Sequence, residues 1–589
     1  MPIKPIRKIK LGFVQEKQAF GVHENLHPKM LKNLVSLILL FFERHFVGKS
    51  RATTPHNTHS QKEIFLSFTL LNGDKLLCSF FGHFEIHILI LADRPPSVRL
   101  SFRDQTMQHL LRDPVHHTVP ISRTEKNLID HPYFQRLRRI KQTAFLNLVF
   151  PGSTHDRFSH CVGAMHLAGL IFDSVSQEFI STFGPRSLQP PQQDYFRRLV
   201  RMAALLHDIG HGPFSHSLEG VTNLGRPLHP MRKLLFREGI ISEDWVHDRF
   251  LKSEKWMNHP TAHEDFSVAI LSLMAAEEEG RIGGLLAQDI ASLIVDWVKP
   301  SPEYEDVDKV GPSGKWRLHD ALKELVSGEL DADRMDYLLR DSHYTGVPYG
   351  QYDKEMLIGN VLWRSHPEKK GQLVTALRRK ALHAFEDFLI SRFHMFMQLY
   401  SHKTTVAFDV ILENALAELP DFSIQPDLTD YLRWSDDWLL RKIIKNRSSK
   451  WGEHIRDRIP LKHLFTIRQE QQKKFLRFIE PYELSKGTTA WYPSLKNKNN
   501  RTKPDQVPKI WWRHSVSYLT TKDRGRYPLY IEERNKLIPI EEISLLLKSD
   551  YVRRFDMIHV YCLRGQEYDV KKWMKDNGLS EEIIQPVDL

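Results

Sequence analysis

The stretch LLHDIGHGPFSH, Leu205–His216, holds three histidines and an aspartate among two glycines and a proline. Imidazole and carboxylate together suit divalent transition ions and magnesium. The residues before it, DYFRRLVRMAALL, repeat their apolar positions with the helical period of about 3.6. Gly210 is a natural stop for such a helix, so His207 and Asp208 are expected at its C-terminal end. Neighbours on a helix diverge by ~100°, and they converge on one ion only where the helix ends and the chain opens. An isolated pair of this kind has an ordinary structural use, with His207 bonded to a backbone carbonyl and Asp208 capping the next turn. This pair has company. FPGSTHDRFSH brings His155, Arg157 and His160 into a new helix, and TAHEDFSVAIL starts a helix at His263. LDADRMDYLLRD carries Asp331, Asp333, Arg334, Asp336 and Asp341. Histidines and aspartates at several helix ends are what a metal site in a helical bundle requires.

The rest of the chain must position these groups. Its 589 residues allow several domains. Hydrophobic residues make up 41% and charged residues 26%, an ordinary globular balance. The net charge of +11 favours an anionic partner such as a nucleotide, a nucleic acid or an anionic surface. Three widely spaced cysteines, Cys78, Cys161 and Cys562, form no CxxC pair and no disulfide framework, as expected of a reduced, cytoplasmic protein. The apolar run LVSLILLFF, Leu34–Phe42, falls short of the ~20 residues of a membrane span. No membrane association is expected.

Four regions follow from the patterning. Residues 1–110 read as an N-terminal extension, unstructured or misassigned, with strand-like IFLSFTLLNG and FEIHILILA between polar, irregular stretches. Residues 111–415 are dominated by helical periodicity and form the core. Residues 416–515 are helical and then basic and loop-like, with Pro493, Pro504 and Pro508 as breakers. Residues 516–589 mix strand and helix signals into a small α+β appendage. The expected fold is mainly α, a helical bundle with a smaller α+β C-terminal region.

The ordered set RFSH, HDIGHGPFSH, AHE and DADRMDYLLRD resembles the HD-domain phosphohydrolases. With DPVHHTVPISRTEKNLIDHPYFQRLRRIKQ before it and RFHMFMQLYSHKT after it, the chain is similar to their deoxynucleoside triphosphate triphosphohydrolase branch, dGTPase-like and of bacterial type. The resemblance runs from about Asp113 to Lys403 and does not reach residues 1–110. It implies a helical HD bundle and metal ligands at His160, His207, Asp208 and Asp333. By ligand type Mn, Fe, Zn, Mg and Ni all fit. It further implies His216 as proton donor to the leaving 5′-oxygen, Glu219 as the group orienting it, and His211 and His263 facing phosphate. The family often has Asp where this chain has Glu219.

The resemblance also implies a substrate pocket. Arg157, Arg334 and Arg392 match phosphate clamps, a role suited to the planar guanidinium fork. Gln142 and Asp341 match groups that bind a 3′-hydroxyl, and Tyr400, with Tyr337, matches the wall against C2′. Two positions depart from the pattern: Phe396 stands where relatives carry His, and Thr143 where they often carry Leu. Deoxynucleoside triphosphates are the implied substrates, cleaved at the α-phosphorus. A homo-oligomer is expected, and Asp130, Gln135, Arg136 and Arg138 resemble a segment that forms an activating nucleotide site between subunits. Two alternatives stand beside this reading. One is an HD phosphohydrolase of other specificity, such as a nucleotidase, a cyclic-nucleotide or alarmone hydrolase, or a nuclease. The other is a nucleotide-sensing or nucleic-acid-binding protein that grips single strands through AWYPSLKNKNNRTK and KIWWRH, unless Trp511 and Trp512 pack inward.

Overall fold

The computed structural model describes residues 109–221, 231–258, 262–419, 428–446, 449–479, 509–518, 529–548 and 554–584, and the backbone of strands at 65–71, 75–81, 88–91, 482–484 and 490–495. The apolar run at 34–42, the polar stretches around residues 49–62 and 92–105, and most of the basic segment 496–508 lie outside the described residues. The chain divides into two compact units, Met1–Ser97 and Val98–Leu589. In the first, strands β1 (Phe65–Leu71), β2 (Lys75–Phe81) and β3 (Ile88–Leu91) form an antiparallel sheet in sequence order. Two of these strands fall in the apolar stretches expected to be extended, and KLLCSFF supplies the third.

The second unit is mainly helical. It opens with the hairpin β4 (His109–Asp113) and β5 (His117–Ile121), followed by α1 (Arg123–Asp130). Ser122 and Glu125 close a capping box at the start of α1, each side chain accepting from the other's backbone N–H. The core helices are α2 (Arg157–Phe183), α3 (Pro190–Leu206), α4 (His263–Ala276), α5 (Ala287–Ile294), α6 (His319–Val326) and α7 (Ala332–Thr345). They enclose one large core in which Phe172, Phe179, Phe196 and Leu205 are buried. Helix α2 is long and apolar enough to cross a membrane, but 72% of that apolar window is buried inside this fold. An all-round apolar helix is what the centre of a large bundle demands.

Hairpin β6 (Val361–Ser365) and β7 (Leu373–Arg378) packs against α2. Then α8 (Leu382–Met395) runs into one π-helical turn, Phe396–Tyr400, and α9 (Lys403–Ala417) follows. Helix α10 (Asp436–Lys445) packs beside α9 within a second cluster that includes Phe408, Leu412, Leu439 and Ile443. Five strands form a C-terminal sheet: β8 (Lys462–Arg468), β9 (Tyr482–Leu484), β10 (Ala490–Leu495), β11 (Ile510–Tyr518) and, after the pair below, the long strand Arg554–Cys562. Strands β12 (Tyr530–Glu533) and β13 (Lys536–Pro539) lie elsewhere, with β12 joined in parallel to β7. With Arg554–Cys562 as β14, the C-terminal sheet has the order β8-β14-β11-β10-β9. KIWWRH, which reads as loop in the sequence, is therefore mostly a strand. Trp511 is 1% exposed and its indole N–H donates to Asn414 Oδ1 at 3.4 Å, so that ring is not free to stack on a base.

Candidate active site

Three helix ends meet at the centre of the second unit. Asp156 caps α2 by accepting from Ser159 N, which places Arg157 and His160 in the first turn. Helix α3 ends at Leu206, with His207 as its C-cap and Asp208 in the turn beyond. Asp331 caps α7 by accepting from Arg334 N at 2.7 Å, and Asp333 follows in the first turn. The ligand atoms of His160, His207 and Asp333 all lie within 4.8 Å of one another. Asp208 adjoins them, 3.6 Å from His160 Nε2 and 3.3 Å from His207 Nε2. The four groups that the resemblance names as ligands thus come together from three separate stretches of chain.

Both imidazoles are oriented the same way. His160 donates from Nδ1 to Asp336 at 2.8 Å, and His207 donates from Nδ1 to the carbonyl of Ala204 at 2.8 Å. Their Nε2 atoms are buried and make no hydrogen bond. A bare, buried Nε2 backed by a hydrogen-bonded Nδ1 is the tautomer a metal-ligating histidine needs. The structural use foreseen for His207, a bond to a backbone carbonyl, and a ligand role therefore fall on opposite sides of one ring. Two orphaned nitrogens facing two carboxylates fit a divalent cation. His160 Nε2 lies 3.1 Å from Asp333 Oδ1. Proximity to His207 and Arg157 holds Asp208 well below the usual carboxylate range against its burial.

Asp336 is the hub behind the centre. It is fully buried and accepts from His160, from His116 Nε2 at 2.6 Å, and from Arg340 Nε and Nη2 at 2.8 and 2.9 Å. Arg340 reaches on to Asp113, which also caps the β4–β5 turn by accepting from Val115 N and His116 N. The turn holding Asp208 is pinned from three other directions. Ser267 on α4 donates to His207 O at 2.6 Å, Arg136 Nη2 donates to Ile209 O at 2.8 Å, and Tyr431 OH donates to Gly210 O at 2.5 Å. At Gly210 a Cβ would meet His263 O and Ser267 N at 2.2 Å, so α4 can approach only a glycine here.

Past that turn, Phe214 and Ser215 adopt left-handed φ values of 58° and 53°. Non-glycine residues enter this region at a cost of ~1–3 kcal/mol each. Asp436 at the start of α10 holds the strained pair by accepting from Phe214 N at 2.7 Å and from Lys141 N at 2.9 Å. The chain is thereby aimed so that His216 opens a short helix, His216–Val221, with its side chain 67% exposed. Glu219 accepts from His216 Nδ1 at 2.9 Å and from His263 Nδ1 at 2.6 Å. The His211 and His263 rings stack at 3.7 Å, with their Nε2 atoms 3.4 and 3.6 Å from Asp208. His211, His216, Glu219 and His263 thus form one cluster against the metal-type group. Burial, followed by the Arg157 guanidinium, pushes His211 well below the normal imidazole range, so it stays neutral.

The three arginines sit in different settings. Arg157 donates to Ser215 Oγ at 2.8 Å and pairs with Asp208. Arg334 donates to the carbonyl of Gly328 and lies 3.6 Å from Glu329. Arg392 is 5% exposed, and burial and then the nearby Arg334 charge lower its pKa. Arg334, by contrast, is held charged against its burial by Asp331 and Glu329. Beside them Tyr400 OH donates to Asp341 Oδ2 at 2.6 Å, and Tyr337 and Phe396 pack edge-on against the Tyr400 ring. The side-chain oxygen of Gln142 is buried with no hydrogen bond. His155, which the sequence singled out only by its place before α2, donates to Asp341 Oδ1 at 2.6 Å and orients it.

Arg136 is a correction to the expected activator segment. It is 1% exposed, with Nη2 donating to Ile209 O, so its side chain does not lie on the surface of this fold. Gln135 donates to Ile129 O, Arg138 lies over the Phe158 ring at 3.5 Å, and Asp130 pairs with Lys126. Sequence reasoning also missed His116 as a partner of Asp336, and Asp436. The DPVHH stretch contained the first, but its bond to Asp336 crosses 220 positions and no local signal announces it.

Residues 157–340 match the HD domain family. That span runs from the first residue of α2 to Arg340 on α7, and so encloses His160, His207, Asp208 and Asp333. A similar protein is the uncharacterized YwfO of Bacillus subtilis, 31% identical over 310 residues, which cover 52% of this chain and 55% of that protein. The uncharacterized MJ1154 of Methanocaldococcus jannaschii is 27% identical over 57% of each chain. The deoxynucleoside triphosphate triphosphohydrolase SAMHD1 of Gallus gallus is 25% identical over 490 residues, 77% of this chain and 72% of its own. The matches span a little over half the length of the first of these relatives. Among solved structures, a hypothetical protein from Aquifex aeolicus shares the fold at a TM-score of 0.50 and 23% identity, over 79% of this chain and 99% of that one.

Proposed function

We propose that the protein is a metal-dependent deoxynucleoside triphosphate triphosphohydrolase, dGTPase-like, acting on the cytoplasmic nucleotide pool. The observation that carries this reading is the pairing of two buried imidazoles with bare Nε2 atoms and the carboxylates of Asp208 and Asp333, next to the His211–His216–Glu219–His263 cluster. His160, His207, Asp208 and Asp333 would hold the divalent ion. Once bound, it supplies a polarised phosphoryl oxygen and an acidified water. The chain's own residues do the rest. Arg157, Arg334 and Arg392 bind the phosphates, which offset the burial of the Arg392 guanidinium. Asp341, held by His155 and Tyr400, and Gln142 receive the 3′-hydroxyl, and the Tyr400 ring closes the space a 2′-hydroxyl would need. Water adds to the α-phosphorus, the bond from that phosphorus to O5′ breaks, and His216 delivers its Nε2 proton to O5′. The proton lost by the water restores the imidazolium. The products are a deoxynucleoside and tripolyphosphate. Glu219, accepting from Nδ1–H, orients the His216 ring and faces the imidazolium that donates from Nε2.

The reading is supported further by similarity to proteins named as deoxynucleoside triphosphate triphosphohydrolases. The test is to incubate the purified protein with each dNTP and NTP across a panel of divalent ions and to identify the products. Tripolyphosphate and nucleoside are expected, whereas release of orthophosphate, or of pyrophosphate with a deoxynucleoside monophosphate, rejects cleavage of the bond between the α-phosphorus and O5′. Two variants separate binding from chemistry. Asp208→Ala is expected to lose both metal and turnover. His216→Ala should retain metal and lose about 10²–10⁴-fold in rate. Assembly as a homo-oligomer, with an activating nucleotide, is part of the same proposal and is read by sizing the protein with and without dGTP.

A further inference from the structure

A cleft of 1320 Å³ opens between α5, α6, the 309–317 turn and the end of the β6–β7 hairpin. It lies apart from the metal-type group and the histidine cluster and meets the candidate site only at Gly328 and Glu329, the partners of Arg334. Its lining carries eight lysines and arginines against six aspartates and glutamates. Five of those six acids already have hydrogen-bond or ion-pair partners. Asp308 is 3% exposed and accepts from Leu318 N and His319 N at 2.8 and 2.9 Å, which caps α6. Glu324 accepts from Thr375 N at 2.8 Å, Asp320 pairs with His319, and Glu329 lies 3.6 Å from Arg334. Asp296 pairs with Lys323 at 3.1 Å. Lys299, Lys309, Lys315 and Lys370 have no carboxylate within ion-pair distance among the described residues, and all four line this one cleft. Lys315 rests over the Trp316 ring at 4.3 Å.

We propose that this cleft is a second anion site, which takes an oligophosphate group. Several unpaired ammonium groups around one concavity focus a positive potential that a single phosphate does not match and a chain of phosphates does. Each lysine presents a compact charge with rotatable donors, suited to phosphate oxygens without fixed geometry. One wall, Gly328–Leu330, is the chain that leads directly into α7, and Arg334 donates to the carbonyl of Gly328. An oligophosphate in the cleft therefore lies one short segment away from the arginine and aspartate at the start of that helix. The site goes beyond the hydrolytic reading and does not rest on it: a protein that hydrolyses nothing would still show it.

Two ligands carry the same chemistry, inorganic tripolyphosphate and the tail of a nucleoside triphosphate. The test measures binding of tripolyphosphate, and separately of a non-hydrolysable dGTP analogue, to the metal-loaded full chain by calorimetry at fixed ionic strength. The comparison is with Lys309→Glu/Lys370→Glu. Lys571→Glu/Lys572→Glu, an equal charge change on the helix Glu567–Asp576, which contributes nothing to the cleft lining, is the control. The expected result is a class of sites whose affinity drops at least tenfold in the cleft variant and stays within twofold in the control, with metal content unchanged. Tighter binding of the nucleotide than of tripolyphosphate assigns the source as nucleotide, and the reverse assigns it as free oligophosphate. The proposal is overturned if the cleft variant's isotherms match the wild type's, if the control pair weakens binding equally, or if the wild type binds neither ligand in this class.

Discussion

Replacing Asp336 with asparagine should weaken metal binding without touching a metal ligand. The carboxylate takes four donors and gives none. Oδ1 accepts from His116 Nε2 at 2.6 Å and Arg340 Nη2 at 2.9 Å, while Oδ2 accepts from His160 Nδ1 at 2.8 Å and Arg340 Nε at 2.8 Å. Asparagine fills the same volume but turns one acceptor into a donor. Whichever way the amide faces, two N–H groups meet its NH2 instead of an oxygen. Hydrogen bonds to a charged group contribute ~1.5–3 kcal/mol each, and stripping a buried charged partner costs ~3–5 kcal/mol. The metal-free variant should therefore lose about 3–5 kcal/mol of stability in urea. With the amide NH2 towards His160, the ring is no longer held with Nε2 bare, and affinity should drop ~10–100-fold, the usual cost of losing a group behind a metal-bound histidine. Competition against a chelator of known affinity reads the second number on the folded fraction. If Asp336→Asn binds Mn²⁺ or Zn²⁺ within twofold of wild type while folded, the hub does not orient His160 and the reasoning fails.

Gly210→Ala should push α4 away from the turn that carries Asp208, since the added methyl would sit 2.2 Å from two backbone atoms. At least ~1–3 kcal/mol is lost to overpacking, and dNTP turnover falls with the displaced His263; unchanged melting and rate would refute this. Asp436 offers a pH test. Burial pushes its carboxyl up to about 6 against the pull of the backbone N–H groups of Lys141 and Phe214. A carboxyl raised on folding contributes most below its unfolded value and loses that contribution as pH rises through about 6. The wild-type advantage over Asp436→Asn in urea should therefore shrink by up to ~3 kcal/mol between about pH 4 and pH 7. A pH-independent difference would sink the assignment.

What was legible in the sequence was local. The 3.6 period of DYFRRLVRMAALL and the glycine after it placed His207 and Asp208 at a helix end, and the structure puts the C-cap of α3 at His207. The helix start at His263 and the capped entry to α7 were readable for the same reason, since capping and periodicity act over a few residues. The resemblance of the ordered motifs pointed to His160, His207, Asp208 and Asp333 before any fold was seen. Tertiary structure decided where side chains point and what holds them. Arg136 looked like a surface cation and is buried under Ile209, because burial depends on what packs over a residue and not on its own neighbours in sequence. KIWWRH looked like loop and is mostly strand, because its hydrogen-bond partners are in Arg554–Cys562. The β12 strand joins β7 in parallel across some 150 positions, a pairing no local pattern encodes. The hub at Asp336 is the extreme case: its partners lie 4, 176 and 220 positions away, and only the packed bundle brings them within 3 Å.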